Sequence, residues 1–418
     1  MKYKITSDFL KLMFRRGDHH DSTNLNAIDE LAKQNKLVGY IGFDATAPSL
    51  HVGNLMQVLK LKTMQNTGQK PIVLIGGGTT KIGDPSGKDS MRKIQSQSDI
   101  EKNIEKIKNI LSKFITFGDG KSEALLVNNS DWLDELNYIE FLKIVGPHFT
   151  INRMLTFDSV KNRLDREQPL SFLEFNYMIL QAYDFLQLNR NFGCNLQMGG
   201  SDQWGNIING IELCRRMDEK EVYGLTSELL TTSSGNKMGK TADGAVWLSE
   251  EMLSPYNYWN FWRNTEDKDV IRFLRLFTYL PEKEIIELEK LEGSQINQAK
   301  IILANEATSM CHGKEQSLQA EETSKQTFLS GTYGDSLTTV EIPKNKIAKG
   351  LPIFLILKKA FNLSSGAEAR RLLRSGGAKL NDKVITEETL LVNISDADEN
   401  GIIKLSIGKK RHNLIKIV

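Results

Sequence analysis

The chain has 418 residues, which is typical of two or three domains, because single hydrophobic cores stop growing well below this length. With 40% hydrophobic and 25% charged residues, it has the composition of an ordinary globular protein. No apolar run reaches the roughly 18 residues of a membrane-spanning helix, so no membrane association is expected. Cys194, Cys214 and Cys311 are odd in number and lack metal-ligand spacing, which argues against disulfides and structural zinc. We therefore expect a reducing compartment, the cytoplasm.

The net charge of +2 is unevenly distributed along the chain. Residues 349–418 hold 13 Lys and Arg against 7 Asp and Glu, a net charge of +6, so the remaining residues carry −4. Basic charge that is concentrated at one end of a chain favours binding to phosphates, such as those of a nucleic acid.

The first residues, MKYKITSDFLKLMFRRG, combine Lys and Arg with an amphipathic pattern. They lack a small-residue cleavage site after an apolar core, and Asp8 and Asp18 do not suit an organelle-targeting peptide, which is poor in acidic residues. The pattern predicts a helix that is docked on the protein, with organelle targeting as the minor alternative.

The stretch Tyr40 to Asn54, YIGFDATAPSLHVGN, predicts a strand, a turn of small residues and the start of a helix. The free N–H groups and partial positive charge of a helix start suit the phosphates of a nucleotide. His51 and Asn54, three residues apart, share one face there and can contact the same ligand. A purely structural interpretation remains open, in which His51 only satisfies the helix start and Gly53 only permits close packing.

A second strand, Pro71 to Ile75, is apolar on both faces, as in the centre of a parallel sheet. Glycine-rich turns follow it and end in Gly83-Asp84-Pro85-Ser86-Gly87-Lys88. Strand, helix, strand and glycine turn form the βαβ unit of a doubly wound sheet, whose ligand binds at the carboxyl ends of the strands. Asp84 offers a carboxylate to a substrate ammonium group. Lys88 and Arg92 lie just beyond and are also compatible with surface charges.

The helix predicted from Phe172 to Leu188 carries Tyr177, Gln181 and Asp184 along one face, because they are spaced four and three residues apart. An exposed face normally carries Lys and Glu, so this stripe of Tyr, Gln and Asp predicts a binding surface, with a hydrated face as the alternative. We assign Phe172 to core packing on another side of the helix.

The stretch Gln197 to Asn206, QMGGSDQWGN, indicates a strand end, a glycine turn and a helix start. Asp202 can accept hydrogen bonds from ribose hydroxyls, and Gly200 lets a ribose lie against the backbone. Gln203 would then face a carboxylate group of the substrate. Alternatively, Asp202 only caps the following helix.

The segment Lys237-Met238-Gly239-Lys240-Thr241 places two ammonium groups beside a glycine on a predicted loop. Such a loop can act as a mobile clamp on a polyphosphate, following the charge that develops on a leaving pyrophosphate. Taken alone, the two lysines are equally compatible with a solvated charge pair.

The pattern from Pro255 to about Ala320 is helical, and Gly, Thr, Ser and Pro then mark a linker. The tail predicts two helices and short strands, with arginines on the second helix and a basic hairpin near the end, a footprint for phosphates. A solvated basic face is the alternative. The candidate RNA-binding residues are Arg370, Arg371, Arg374, Lys379, Lys409, Lys410 and Arg411.

In this order, the motifs resemble the paired HIGH and KMSKS signatures of class I aminoacyl-tRNA synthetases, and more closely the tyrosyl-tRNA synthetases of bacterial and organellar type. The resemblance extends through essentially the whole chain and rests on GFDATAPSLHVGN, GDPSGK, FLEFNYMILQAYDF and QMGGSDQWGN. Asn54 stands where the last His of HIGH stands, and Gly239 and Thr241 replace the serines of KMSKS. Because an Asn amide still donates and accepts hydrogen bonds, we expect altered tuning and retained activity.

The resemblance implies an α/β fold with a Rossmann-type, doubly wound parallel-sheet catalytic domain, followed by an α-helical domain and a small α+β RNA-binding domain. The implied boundaries are 1–250 for the catalytic domain, with a dimer-interface insertion at about 95–170, and 251–329 for the helical, anticodon-side domain. A linker at 330–349 would lead to an RNA-binding domain of the ribosomal protein S-four type at 350–418.

The resemblance also implies tyrosine–tRNA ligase activity in a homodimer. The carboxylate of L-tyrosine would attack the α-phosphate of ATP, giving tyrosyl-adenylate and pyrophosphate, and the terminal adenosine of tRNA(Tyr) would then take the tyrosyl group. ATP with Mg²⁺ would be a co-substrate, and no structural metal is expected. The apolar candidates for the dimer interface, which core packing explains equally well, are Phe141, Leu142, Ile144, Val145, Phe149 and Ile151.

Residue roles follow from the same resemblance. The implied catalytic residues are His51, Asn54, Lys88, Arg92, Lys237, Lys240 and Thr241. Those implied to bind tyrosine are Tyr40 and Asp184 at the phenol, Asp84, Tyr177 and Gln181 at the ammonium group, and Gln203 at the carboxylate. Those implied to bind ATP are Gly42, Asp44, Thr46, His51, Gly53, Asn54, Gly200, Asp202 and Lys240. Arg215 and Arg216 either offset a helix dipole or contact the tRNA acceptor stem.

Two other functions remain open. A tryptophanyl enzyme or a small-molecule adenylate-forming ligase would share the nucleotide motifs but has no reason to pair Tyr40 with Asp184. A non-catalytic RNA-binding protein that descends from the family would keep the basic tail but has no need of the signatures. The sequence does not distinguish a bacterial from an organellar origin.

Overall fold

The computed structural model describes residues 4–84, 95–235, 238–241, 244–329, 337, 339–348, 350–363, 365–398, 400–408 and 411–418, with the backbone alone at 158–159, 240–241, 244 and 327–329. The chain forms two compact units. The first comprises 1–240, 245–252 and 266–296, and the second comprises 241–244, 253–265 and 297–418. Segment 266–296, predicted as part of the helical domain, therefore belongs to the unit that carries the sheet. No helix among the described residues is long and apolar enough to span a membrane.

The bounds of the regular elements are as follows. The α-helices are α1 (Asp8–Arg16), α2 (Leu25–Lys33), α3 (Val52–Asn66), α4 (Gln97–Leu111), α5 (Ser130–Leu133), α6 (Tyr138–Val145), α7 (Ile151–Met154), α8 (Asp158–Asp165), α9 (Phe172–Phe192), α10 (Trp204–Asp218), α11 (Pro255–Arg263), α12 (Val270–Phe277), α13 (Glu282–Glu289), α14 (Ile296–His312), α15 (Lys314–Leu329), α16 (Lys344–Ile347), α17 (Ile353–Ala360) and α18 (Gly366–Arg374). The strands are β1 (Asp21–Ser22), β2 (Val38–Asp44), β3 (Lys70–Gly76), β4 (Leu125–Asn128), β5 (Leu196–Gly200), β6 (Tyr223–Ser227), β7 (Lys240–Thr241), β8 (Gly244–Ala245), β9 (Thr339–Ile342), β10 (Leu351–Pro352), β11 (Ala378–Leu380), β12 (Lys383–Ile385), β13 (Leu391–Val392), β14 (Ile402–Ile407) and β15 (Arg411–Ile417).

The first unit is built on a six-stranded sheet in the order β1-β6-β5-β2-β3-β4. All neighbouring strands are parallel except β1, which pairs antiparallel with β6. The chain leaves β2 toward β3 and β4, and it returns on the other side as β5 and β6. The point between β2 and β5 is therefore a topological switch point, where doubly wound sheets bind their ligands. The Rossmann-type α/β fold expected from the sequence is confirmed.

Burial explains why the central elements form as predicted. Six of the seven residues of β3 are buried, as expected of a strand that is covered by helices on both faces. Helix α9 starts with a capping box, in which Ser171 and Glu174 each bond the backbone of the other, and it ends at Gly193 with a positive φ of 66°. These signals hold α9 at a defined length across the sheet.

The predicted interface segment divides into core and surface. Val145 is 1% exposed, and Phe141 and Phe149 pack against the core of the same chain. Ile144 and Ile151 are instead exposed, at 52% and 60%. The core assignment of Phe172 is wrong, because its side chain is 71% exposed at the start of α9, where no described residue covers it.

The N-terminal segment is held by one buried carboxylate. Asp29 in α2 accepts hydrogen bonds from the backbone N–H and the hydroxyl of Thr6, both at 2.8 Å, and from those of Ser7, at 2.9 and 2.5 Å. Burial opposes ionisation, but the bonds from Ser7 and Thr6 outweigh it and hold the pKa of Asp29 well below its usual range. The N-terminal residues are therefore docked, as their amphipathic pattern predicted.

We expect Asp29→Asn to lower the free energy of unfolding by about 2 kcal/mol near neutral pH, because several hydrogen bonds to a buried charge are weakened. The folded pKa lies below the unfolded value of 3.8, so this stabilisation is present above that value and is lost as the pH falls. Urea unfolding at several pH values measures it. Asp119→Asn, at an exposed loop position, is the control, and an equal loss in the two variants would contradict the assignment.

The second unit contains helices and a separate sheet. Its five-stranded sheet has the order β12-β11-β14-β15-β9, and all pairs are antiparallel except that of β15 with β9, which is parallel. Strand β9 and helix α16 lie within the residues predicted as a linker, so this sheet begins at Thr339 and not after residue 349. The Thr, Ser and Gly content of that region concealed the β-branched pattern of Thr339-Val340-Glu341-Ile342.

Candidate active site

A cavity of about 540 Å³ opens at the carboxyl ends of β2, β3 and β5. Every residue that was predicted to bind tyrosine or ATP or to take part in catalysis, and whose side chain the structure describes, lines this cavity. These residues are Tyr40, Gly42, Asp44, Thr46, His51, Gly53, Asn54, Asp84, Tyr177, Gln181, Asp184, Gly200, Asp202 and Gln203. Lys88, Arg92 and Lys237 lie outside the described residues, as do the side chains of Lys240 and Thr241.

One end of the cavity is formed by two buried groups. Tyr40 in β2 and Asp184 in α9 are each 1% exposed. The Tyr40 hydroxyl has no hydrogen-bond partner among the described residues. Asp184 accepts one bond on each oxygen, from Asn129 Nδ2 at 2.9 Å and from Trp132 Nε1 at 2.8 Å. An unpartnered hydroxyl beside an oriented carboxylate forms a site for a ligand hydroxyl, which pairs with both groups.

The environment of Asp184 disfavours its charge. Burial raises the pKa of this carboxyl to about 7, the hydrogen bonds from Asn129 and Trp132 lower it, and the nearby carboxylate of Asp44 raises it again. Burial and the Asp184 charge likewise raise the pKa of the Tyr40 hydroxyl. Near neutral pH, Tyr40 therefore stays protonated while Asp184 titrates. The Tyr40 hydroxyl is then a constant hydrogen-bond donor, and the Asp184 carboxyl is an acceptor whose charge depends on pH.

A chain of hydrogen bonds extends from Asp184 along the cavity wall. Asn129 Nδ2 also donates to Thr79 Oγ1 at 3.0 Å, and Thr79 Oγ1 donates to Asp44 Oδ1 at 2.9 Å. The other oxygen of Asp44 accepts from the hydroxyl of Tyr177 at 3.1 Å. Two carboxylates and the groups between them are thus joined into one network, which fixes the side chains before a ligand arrives.

A second chain of polar groups involves Gln203, which follows β5. Gln203 Nε2 donates to Asp84 Oδ2 at 3.1 Å, and Gln203 Oε1 accepts from Gln181 Nε2 at 3.2 Å and from Asn206 Nδ2 at 3.1 Å. The side-chain oxygen Oε1 of Gln181 is buried without a hydrogen-bond partner among the described residues. Acceptors on Asp84 and Gln181 suit a ligand ammonium group.

The start of α3 also lines the cavity. His51 is the N-cap residue, and its backbone N–H donates to Asn54 Oδ1 at 3.1 Å, the N3 half of a capping box. Nδ2 of the Asn54 amide remains a donor at a helix start that favours anions. A Cβ at Gly53 would lie 2.8 Å from the His51 ring, so a larger residue at this position would displace that ring.

The glycine of the KMGKT segment contacts this helix start. Gly239 has a φ of +82°, and a Cβ on it would lie 2.9 Å from the backbone nitrogen of Gly53. The Gly239 carbonyl accepts from the Val246 N–H at 2.9 Å, and the Val246 carbonyl accepts from the Val52 N–H at 2.9 Å. Backbone bonds thus place this segment against the first turn of α3.

The predicted RNA-binding residues occupy different environments. The Arg370 guanidinium lies 3.8 Å over the Phe354 ring, and both Arg370 and Arg374 approach the carboxylate of Glu388, at 3.8 and 2.8 Å. Arg371 is exposed on the same helix, α18. Lys379 is half-buried in β11, and Arg411 begins β15 with its guanidinium 5.2 Å from the Phe361 ring. Lys409 and Lys410 lie outside the described residues.

Sequence reasoning missed several residues of the site. Asn129, Trp132 and Thr79 were not predicted, although they orient the carboxylates of Asp184 and Asp44. Gln197 in β5 lines the cavity, and its side-chain oxygen Oε1 is buried without a hydrogen-bond partner among the described residues. The one available signal was position, since Asn129 directly follows β4 and Thr79 lies just after β3, at the ligand-binding edge of the sheet.

Comparison with known proteins identifies the family. Residues 32–329 match the family described as tRNA synthetases class I (W and Y). The tyrosine–tRNA ligase of Methylocella silvestris is 55% identical over 416 residues, which cover 100% of this chain and 99% of that protein. The tyrosine–tRNA ligase of Caulobacter vibrioides is 54% identical over 412 residues, which cover 99% of this chain and 98% of that protein.

Solved structures agree with the sequence relatives. A C-terminally truncated mitochondrial tyrosyl-tRNA synthetase of Aspergillus nidulans is 29% identical with a TM-score of 0.67, covering 77% of this chain and 94% of that chain. The tyrosyl-tRNA synthetase of Archaeoglobus fulgidus, solved with L-tyrosine, is 17% identical with a TM-score of 0.55 and shares the fold, over 74% of this chain and 100% of that chain. The chain therefore belongs to the class I tRNA synthetases, in the branch of the tyrosine–tRNA ligases.

Proposed function

We propose that this chain activates L-tyrosine with ATP and transfers it to tRNA(Tyr), and that both steps take place in the cavity at the carboxyl ends of β2, β3 and β5. One observation carries the assignment of the site. The cavity is lined both by the buried Tyr40 hydroxyl, which has no partner among the described residues and lies near Asp184, and by the capped start of α3. A phenol and a nucleotide phosphate suit these two parts of the cavity.

Tyrosine binds along the network of polar groups. Its phenol donates to the Asp184 carboxylate and accepts from the Tyr40 hydroxyl, which satisfies the buried hydroxyl. Its ammonium group lies among the oxygens of Asp84, Gln181 and the Tyr177 hydroxyl. The carboxylate then points past Gln203 toward the start of α3, where it meets ATP.

The substrate supplies its own nucleophile. A carboxylate oxygen of tyrosine attacks the α-phosphorus of ATP, the bond to the β-phosphate breaks, and pyrophosphate leaves with the electron pair. His51, Asn54 and the partial positive charge at the start of α3 hold the phosphates in line, so catalysis consists of positioning and electrostatic stabilisation. Asp202 and Gly200 bind the ribose. Mg²⁺ would accompany ATP as part of that substrate and would offset charge on its phosphates.

Transfer to tRNA completes the reaction. A ribose hydroxyl of the terminal adenosine attacks the carbonyl carbon of tyrosyl-adenylate, and AMP leaves. We assign tRNA binding to the basic C-terminal residues, with Arg371 and Arg374 as exposed arginines of α18, and to Arg215 and Arg216 at the end of α10. Phosphate contacts of this kind are weakened by salt.

A homodimer is part of the proposal. The predicted interface segment and the start of α9 carry exposed apolar side chains within 36 consecutive residues, more than an isolated surface normally shows. These side chains are Tyr138, Ile139, Ile144, Ile151, Leu155, Leu164, Phe172 and Leu173. Burial of this surface against a second copy explains the exposure of Phe172. We also retain the cytoplasm as the location.

We expect Lys240→Ala to slow tyrosyl-adenylate formation by about 100-fold while changing the affinity for tyrosine little, because its ammonium group stabilises charge that appears only in the transition state. Single-turnover kinetics and tyrosine binding, measured on the same preparation, separate the two quantities. Equal losses in both would contradict the role of Lys240.

The pH dependence of tyrosine use provides a second prediction. If the phenol donates to ionised Asp184, kcat/KM for tyrosine rises with pH through the pKa of about 7 and then levels off. Trp132→Phe removes a hydrogen bond to the carboxylate, so the midpoint moves to higher pH. Pyrophosphate exchange measured from about pH 5.5 to about pH 9 gives both profiles. An unmoved midpoint would rule out Asp184 as the titrating group.

The function itself is tested by exchange of pyrophosphate into ATP with tyrosine, phenylalanine or tryptophan. The proposal requires exchange with tyrosine alone, followed by charging of tRNA(Tyr). Exchange with tryptophan would indicate the tryptophanyl alternative. Exchange without charging would indicate a small-molecule ligase, and tRNA binding without exchange would indicate a non-catalytic RNA-binding protein.

A further inference from the structure

A lysine lies buried beneath the nucleotide end of the cavity. Lys60 is in α3, nine residues after His51, and it is 1% exposed. Its ammonium group donates to the Gly199 carbonyl at 3.0 Å, to Ser227 Oγ at 2.6 Å and to Gln57 Oε1 at 3.0 Å. Asp18 Oδ1, which follows α1, lies at 3.5 Å. One side chain therefore joins four segments of the first unit.

A buried ion pair of this kind is not the most stable solution for a protein core. Burial lowers the pKa of Lys60 and raises that of Asp18, while the attraction between the two charges acts in the opposite direction on each. Apolar residues of similar volume at such positions are often at least as stabilising as the pair. The contacts of Lys60 beyond Asp18 therefore call for a role other than stability.

These contacts lie at the wall of the cavity. Gly199 and Gln57 line it, and Ser227 ends β6 directly before Glu228, which also lines it. Gly199 directly precedes Gly200 at the end of β5. The Ser227 hydroxyl, held by Lys60, in turn approaches the Gly199 carbonyl at 3.5 Å. The ammonium group thus fixes the carboxyl ends of two neighbouring parallel strands.

The residue that follows this strand end is charged. Asp202 lies in the turn after Gly200, and its carboxylate is close enough to raise the pKa of Lys60. The positive charge of Lys60 therefore lies beneath a carboxylate that faces the cavity. It offsets part of the cost of holding that carboxylate ionised as a hydrogen-bond acceptor.

We propose that Lys60 is a positioning residue for ATP. Its ammonium group fixes the ends of β5 and β6 so that Gly200 and Asp202 meet the ribose. The proposal rests on the function proposed above, since it deepens the role of that nucleotide site. Lys60 does not touch the reacting atoms. It acts through the Gly199 carbonyl and through the charge of Asp202.

A purely structural role makes a different prediction, which a pair of variants separates. Lys60→Met leaves the Asp18 carboxylate buried without its partner, so it lowers stability under either interpretation. Lys60→Met combined with Asp18→Leu removes both charges and restores stability. If Lys60 serves only the ion pair, the double variant also recovers normal use of ATP. If Lys60 positions the strand ends, the double variant is stable but remains impaired toward ATP.

The experiment measures tyrosine-dependent pyrophosphate exchange and thermal unfolding for the full chain, both variants and Asp18→Asn. We expect the KM for ATP to rise by about tenfold in both Lys60 variants, the loss expected for hydrogen bonds to a charged donor. The KM for tyrosine should stay within about twofold, because the tyrosine end of the cavity is unchanged. Asp18→Asn keeps the bond to Gly199 and should leave the KM for ATP near that of the unaltered chain.

A KM for ATP that returns to the unaltered value in the stable double variant would overturn the proposal. So would an Asp18→Asn variant whose KM for ATP rises as much as that of Lys60→Met. Exchange by the unaltered chain with tyrosine alone tests the proposed function separately. If the role of Lys60 is wrong, the stable double variant has the KM for ATP of the unaltered chain. If the proposed function is wrong, the unaltered chain itself shows no exchange with tyrosine.

Discussion

Asp184→Asn is expected to lower kcat/KM for tyrosine in pyrophosphate exchange by about 100-fold or more, with little change in the KM for ATP. Both carboxylate oxygens of Asp184 accept hydrogen bonds from protein donors, Asn129 and Trp132. An amide at this position must turn its NH₂ group toward one of them, which places a donor against a donor. The phenol of the substrate also loses its charged acceptor.

The same variant should discriminate less between tyrosine and phenylalanine. Under the proposed function, phenylalanine is rejected because it leaves the buried Tyr40 hydroxyl without a partner and offers no donor to the Asp184 carboxylate, a rule for which tyrosyl-tRNA synthetases are themselves the standard example. Removing the charge removes part of that penalty. Asp218→Asn is the control, because Asp218 pairs with Arg190 away from the cavity. An unchanged preference in Asp184→Asn would mean that the phenol binds elsewhere.

Gly239→Ala is expected to reduce the rate of tyrosyl-adenylate formation by about 100-fold while the KM for tyrosine changes little. The added Cβ would lie 2.9 Å from the backbone nitrogen of Gly53, and neither backbone can move without breaking bonds that join the segment to α3. The segment would then be displaced from the start of α3, where we propose that the phosphates of ATP bind. Single-turnover kinetics with saturating tyrosine measures this rate.

Gly235→Ala is a matched control for this substitution. Gly235 has the same φ of +82°, but a Cβ on it would meet nothing within 4 Å. It therefore reproduces the backbone strain of a left-handed residue, about 1 to 2 kcal/mol, without the clash. A rate loss in Gly235→Ala as large as that in Gly239→Ala would show that strain and not the contact with Gly53 controls the loop.

The fold was predictable where a local pattern determined it. The strand before the HVGN helix, the strand at 70–76 and helix α9 were all predicted within a few residues of their observed bounds. Period-2 and period-3.6 patterns, turn residues and caps act over short distances, and they agree with one another in these segments. The stripe of Tyr177, Gln181 and Asp184 was predicted as one face for the same reason, and all three residues line the cavity.

What the sequence concealed depends on contacts between distant segments. Asn129 bonds a residue 55 positions further along the chain, and no periodicity marks such a partner. The exposure of Phe172 follows from which side of α9 the rest of the chain covers. Strand β9 pairs with β15, which lies more than 70 residues later. Lys60 and Lys62 fall within an apolar stretch, where charged residues suggest a surface position, yet three acceptors and a carboxylate surround the Lys60 ammonium group.

The hydrogen-bonded chain from Asp184 through Asn129 and Thr79 to Asp44 has a consequence for how such a site changes its substrate. Each member is both held by and holding its neighbour, so a substitution at one position leaves an unsatisfied group at the next. Effects of substitutions at these positions are therefore not additive. A change of substrate, from a phenol to a ring with another substituent, therefore requires several of these residues to be substituted together. Each single substitution alone leaves a less active enzyme, whether it arises in evolution or by design.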